Sequence, residues 1–96
     1  MPTATWKGTQ IAKSELHDVE IVEGNIYFKR EDVNATFLRP STHHTTCSWK
    51  GECNYFDVVV NGEVNANAAW VYEAPKAKAA HVKGRIAFWH GVDVKK

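Results

Sequence analysis

"NYFDVVVNGEVN", Asn54 to Asn65, opens with the longest strand candidate in the chain and stops it at Asn61-Gly62. Asn-Gly is the strongest short-range signal for a type I′ hairpin turn, because both central residues must adopt positive φ. The three residues after it, Glu63 to Asn65, are expected to pair back on the strand. Along Asn54–Val60, Tyr55, Asp57 and Val59 share one face and Phe56, Val58 and Val60 the other. Apolar residues on both faces predict a central strand covered on two sides. A chain of 96 residues built around such a strand is a single, mainly β domain with one modest core.

Working outward from that strand, the same punctuation recurs. "TWKG" followed by "TQIA" predicts two strand pieces around Lys7-Gly8, and "DVEIVEGNIYF" a hairpin turning at Gly24-Asn25. In its first arm Val19 and Ile21 are expected on a buried face, with Glu20 pointing outward. "KREDVNATFLRP" places Val33, Phe37 and Leu38 at helical spacing before Pro40, which predicts one or two helical turns. "PSTHHTT", residues 40–46, reads as a loop. "AAWVYEAP" is a further strand stopped by Pro75, and "PKAKAAHVKG" a short helix with Gly84 just past its end. "RIAFWHGVDV" reads as strand, turn at Gly91, strand. The sum is about seven short strands in small antiparallel sheets, with one or two short helices.

Composition narrows the function classes. Twelve Lys and Arg against eleven Asp and Glu leave a net charge of +1, so no overall field draws the protein to nucleic acid or anionic lipid. The lysines toward the C-terminus, Lys76, Lys78, Lys83, Lys95 and Lys96, read as solvated charges interrupted by Glu73 and Asp93. No basic and apolar leader opens the sequence and no run approaches a membrane span, which predicts a cytoplasmic protein without membrane contact. Two cysteines are too few for a disulfide framework and suit a reducing compartment.

Taken together, "VEGNIYF", "EDVN", Cys47-Ser48-Trp49-Lys50-Gly51, "YFDV", "NAAWVY" and "GRIAFWHGV" resemble the small bacterial family catalogued as domain of unknown function 427. The resemblance runs over nearly the whole chain. It implies a β-tent type of fold, shared with the drug-binding domain of cereblon and with methionine sulfoxide reductase B. A nucleotidyltransferase-like label is also attached to that family. Two-metal nucleotidyl transfer needs clustered carboxylates, whereas Asp18, Asp32, Asp57 and Asp93 include no D-x-D pair and no Gly-rich phosphate loop occurs. Against the family pattern, this chain carries Lys29 after Tyr27-Phe28, Cys53 in place of a small residue, and Asn67 where an aspartate precedes Ala-Ala-Trp.

The chemistry-bearing residues gather in "THHTTCSWKGECNYFDVVV", Thr42 to Val60. His43, His44, Cys47 and Cys53 offer zinc-type ligands, but the C-x5-C spacing is not the tight C-x(2–4)-C knuckle, so no metal and no cofactor is expected. With a two-residue turn at Lys50-Gly51, Cys47 and Cys53 fall out of register. A three-residue loop from Trp49 to Gly51 makes them direct neighbours and permits a disulfide. Cys47 is also a candidate nucleophile, with His43 or His44 as base and Lys50 nearby to favour the thiolate. Trp49, Trp70 and Trp89, with Tyr55 and Tyr72, can wall a small cavity, and Trp49-Lys50-Gly51 reads as an exposed tip whose lysine meets a carboxylate or phosphate. The leading expectation is a binding domain for a small molecule or peptide at a cleft near Glu23, Asn25, Cys47, Trp49, Lys50 and Trp70. The alternatives are a cysteine-dependent enzyme using Cys47 and a structural homo-oligomer joined through strand edges.

Overall fold

The computed structural model describes residues 1–96 and is mainly β, with every strand pair antiparallel. Nine strands are present: β1 Thr3–Trp6, β2 Thr9–Lys13, β3 Glu20–Val22, β4 Asn25–Tyr27, β5 Leu38–Cys47, β6 Gly51–Val60, β7 Glu63–Val71, β8 Ile86–Phe88 and β9 Asp93–Lys95. They form a four-stranded sheet ordered β5-β6-β7-β8, a three-stranded sheet ordered β2-β1-β9, and the β3-β4 hairpin. Paired backbone hydrogen bonds between Phe28 and Ile86, 2.8 and 2.9 Å, tie the hairpin to the edge of β8 that faces away from β7. No helix is long and apolar enough to cross a membrane.

The Asn61-Gly62 hairpin forms as its residues require, with φ of 51° and 79° and Val60 opposite Glu63. Lys7-Gly8 does the same for β1 and β2. The β3-β4 turn lies one residue earlier than expected, at Glu23-Gly24, with Val22 opposite Asn25. Gly24 supplies positive φ at the second turn position, and Glu23 accepts it at the first, so the glycine ends the turn where it was expected to begin it.

Other expectations need correction. Residues 40–46 are not a loop but belong to β5, where Thr42, Thr45 and Thr46 are at home in extended backbone. Pro40 is tolerated because β5 is an edge strand. The pieces read as "EVN" and "AAWVY" are one strand, β7, carrying a bulge between them. The expected helices are short 3-10 turns: Arg30–Asp32 and Ala35–Phe37 in one region, and Ala77–Val82, kinked at Ala79, in the other. Each segment offers too few consecutive helical residues to repay nucleation of an α-helix. Ile21 is exposed rather than buried, while Val19 packs into the core.

β6 is central, as its two apolar faces predicted, and those faces carry different things. One packs Val58 and Val60, with Val71 of β7 and Ile86 and Phe88 of β8, against Ala4, Ile11 and Ala12 of the three-stranded sheet and Phe28 beside β4. The other carries Cys53 and Tyr55, with Trp70, Tyr72 and Ala87, against Tyr27, Ala79 and Val82. Alternation of period two sends consecutive residues to opposite layers wherever the ladder is unbroken, the bulges in β5 and β7 being the exceptions.

Candidate functional site

On the second face, side chains at alternating positions of three strands, with residues just beyond strand ends, converge on one cavity of about 200 Å³. Asn25 and Tyr27 come from β4, Cys53 and Tyr55 from β6, and Trp70 and Tyr72 from β7 and the residue after it. Lys50 and Trp89, just outside β6 and β8, close the lining. Tyr55 lies directly opposite Trp70 in the sheet, and Trp70 opposite Ala87, so the small alanine leaves room beside the rings. Trp70 and Trp89 meet edge to face with centroids 5.2 Å apart, and Tyr55 stacks on Trp89 at 6.2 Å. The row continues to His43 on Tyr55 at 4.7 Å and to His90 against Trp89 at 4.1 Å.

Trp89 is placed by the β7 bulge. Between Phe56–Ala69 and Val58–Asn65, two extra residues enter β7, and Asn67 takes φ of 55°. Asparagine accepts this left-handed conformation more readily than most residues. The Asn67 N–H donates to Asp57 Oδ1 at 2.9 Å, the Ser41 hydroxyl donates to Asn67 Oδ1, and the Asn67 carbonyl accepts the Trp89 indole N–H at 2.6 Å. Asp57 also accepts from Arg39 at 2.9 Å. Its carboxyl is held below the ordinary range, first by the Asn67 N–H, and by Arg39 against the opposing effect of burial. Asn67 therefore serves as a backbone corner that holds an aromatic wall.

The β5-β6 connection is the three residues Ser48 to Lys50, with Cys47 opposite Gly51 and Thr45 opposite Cys53. This is neither of the two expected registers. Cys47 and Cys53 are both free thiols. Nor is the tip exposed: the Lys76 N–H donates to the Lys50 carbonyl at 2.9 Å, and Lys76 Nζ donates to the Ser48 carbonyl at 2.8 Å. Strapped down in this way, Lys50 is only 6% exposed and Gly51 is buried. Its ammonium lies 4.9 Å from the Trp49 ring centroid and 5.5 Å from that of Tyr72, and donates to Glu23 Oε1. Burial pulls the Lys50 pKa down, but the Glu23 hydrogen bond and the neighbouring acidic groups outweigh it and leave the pKa raised. The Lys50 hydrogen bond in turn lowers Glu23. Lys50 is charged and Glu23 is its counter-ion.

The sequence-predicted residues therefore divide. Asn25, Lys50 and Trp70 line the cavity together, and Glu23 reaches it through Lys50. Trp49 and Cys47 pack against the aromatic cluster from the turn without lining the cavity. The Cys47 thiol is lowered by the backbone N–H groups of Lys50 and Trp49, with burial opposing. His43 stacks on Tyr55, and His44, an odd number of strand residues from Cys47, projects from the opposite face. No three His, Cys, Asp or Glu side chains gather as a metal-holding group.

Two lining residues escaped the sequence reading. Tyr27 accepts the Trp70 indole N–H at 3.2 Å, and Cys53 is buried beside Tyr55 and Tyr72, its thiol pKa raised by burial. The missed signal is the i, i+2 pairing in "NIY", "CNY", "WVY" and "AFW", which puts each strand's second polar or aromatic residue on the same face as its first.

No curated protein matches the chain. The family model described as "Domain of unknown function (DUF427)" matches residues 3–96. The sequence resemblance and this match over nearly the full length agree, and the chain belongs to that family.

Proposed function

We propose that the chain is a ligand-binding domain whose site is the aromatic-walled cavity, and that its ligand is a small polar or anionic molecule. The observation that carries this reading is Lys50. A buried ammonium needs a partner, and here the only carboxylate bonded to it is a half-exposed glutamate on a hairpin tip. Beside it, aromatic faces border open space instead of packing closed. A concave, mainly apolar cavity with a few convergent polar groups is the ordinary form of a small-molecule site. The two free thiols, one of them in the lining, fit residence in a reducing cytoplasm.

The test is a thermal-shift screen against metabolite carboxylates and nucleotides. A stabilising compound is expected whose effect is lost in Lys50→Met and in Trp70→Ala. A stabiliser indifferent to both substitutions would place the site elsewhere.

A cysteine-dependent enzyme is the second reading, favoured by the Cys47 thiol under the Trp49 and Lys50 N–H groups. It requires a general base other than His43 and His44, since neither shares the Cys47 neighbourhood.

A further inference from the structure

The donors of the cavity are unevenly committed. Both indole N–H groups are already used within the protein, that of Trp70 by the Tyr27 hydroxyl and that of Trp89 by the Asn67 carbonyl. The Tyr55 hydroxyl shares a 3.0 Å hydrogen bond with Thr45. Three donor groups remain at the β4 end, on Tyr27, on Lys50 and on the side-chain amide of Asn25. The Tyr27 oxygen accepts from Trp70, which leaves its own proton to donate, and the Lys50 ammonium has three protons with only Glu23 bonded to it. No carboxylate lines the cavity. A cationic ligand would meet the Lys50 ammonium with no carboxylate in the lining to offset it, since Glu23 is already paired with Lys50, whereas an acceptor would meet free donors on Lys50, Tyr27 and Asn25.

The rest of the lining fixes the other end. With its polar atoms committed, the Tyr55, Trp70 and Trp89 wall offers ring faces and edges, which suit a flat unsaturated group. A volume of about 200 Å³ lies below the roughly 300 Å³ from which pockets for drug-sized ligands begin, so one ring with a small head group fills it. A phosphate head would carry more charge than one ammonium balances, and no arginine lines the cavity. A single carboxylate matches Lys50 one for one.

Resting on the reading of the cavity as a binding site, we infer that its ligand class is a planar aromatic monocarboxylate of about benzoate's size, whose carboxylate takes the place of Glu23 on Lys50. Glu23 is 55% exposed and stands on the Glu23-Gly24 turn, so water can take up its carboxylate when it is displaced. It is an internal competitor for the ligand.

The experiment titrates the full chain with benzoate, benzyl alcohol, benzylamine and phenyl phosphate at neutral pH and low salt, read by calorimetry and tryptophan fluorescence. Benzoate is expected to bind at least tenfold more tightly than the other three. Lys50→Met should weaken it tenfold or more, and Glu23→Gln should tighten it several-fold by removing the competing charge. Melting curves accompany every variant, and Glu23→Gln, on an exposed tip, decides the matter if Lys50→Met does not fold. Benzoate binding unaffected by Lys50→Met, or weakened by Glu23→Gln, would overturn the inference. Tighter, Lys50-dependent binding of phenyl phosphate or of a non-aromatic acid would overturn the ligand class while leaving the cavity as a binding site. If no compound in either screen binds in a Lys50-dependent way, both readings fall.

Discussion

The indole N–H of Trp89 donates to the carbonyl of Asn67 at 2.6 Å, joining the end of β8 to a left-handed residue in the β7 bulge. Replacing Asn67 by alanine keeps a Cβ in a left-handed conformation that costs an ordinary L-residue about 1–2 kcal/mol, and removes both the short polar side chain that eases it and the acceptor for Ser41. Asn67→Gly loses the same acceptor but not the conformational ease. Urea unfolding should rank wild type above Asn67→Gly and Asn67→Gly above Asn67→Ala. Equal midpoints for the two variants would show that the backbone conformation is not what the asparagine supplies.

Acid should weaken the protein through a small set of carboxylates. Glu23, Asp18 and Asp57 all have pKa values lowered in the folded state, by hydrogen bonds from Lys50, Lys29 and the Asn67 N–H respectively. A lowered folded pKa means stability that is fully present above the unfolded values, near 4.5 for Glu and 3.8 for Asp, and lost as pH falls through the lower folded ones. Denaturation midpoints are expected to stay level above those values and to decline below them. Asp57→Asn should flatten part of that decline, and an unchanged acid profile in this variant would remove Asp57 from the set.

The two thiols should separate kinetically. Cys47 is partly exposed with a lowered pKa, whereas Cys53 is buried with a raised one. A disulfide reagent at neutral pH is expected to label one thiol faster than free cysteine, and the second only on the timescale of unfolding. Cys47→Ala should abolish the fast phase, and a fast phase that survives this change would reverse the assignment.

Gly51 is the position least open to substitution in the β5-β6 turn. Its φ is 106°, and an added Cβ would lie 3.5 Å from the Lys76 backbone nitrogen, the atom that straps Lys50 in place. Gly51→Ala should destabilise the chain by about 1 kcal/mol or more and raise the exposure of Lys50. Loss of thermal stability comparable to a surface change, within about ±0.5 kcal/mol, would contradict this.

Much of the fold was legible because local chemistry specifies it. Asn61-Gly62 and Lys7-Gly8 can do little but turn, and the two-faced apolar pattern of β6 required a cover on each side. The breaks in ladder register were not legible. Residues 41–43 and the Asn67 bulge look like loops in sequence, yet neighbouring strands hold them in the sheet. Most of the site was visible, with Tyr55, Tyr72 and Trp89 already expected as cavity walls. Trp70, Lys50 and Asn25 were singled out by residue type, whereas Tyr27 and Cys53 gain their importance only from strands brought together across the sequence. Lys50 looked exposed because nothing near it in sequence announces Lys76, whose backbone closes over it.

The four-stranded sheet separates two inheritances by parity alone. Val58, Val60, Val71 and Ile86 hold the molecule together, and Cys53, Tyr55, Trp70 and Tyr72, at the opposite parity, face the cavity. Substitutions at positions 53, 55, 70 and 72 can therefore reshape the cavity while the layer on the other face is left as it was. A single-residue insertion or deletion within β6 or β7 would exchange the two sets of side chains and cost both at once. Among descendants of this chain, the shape of the cavity is free to drift by point changes, and length variation is confined to the turns.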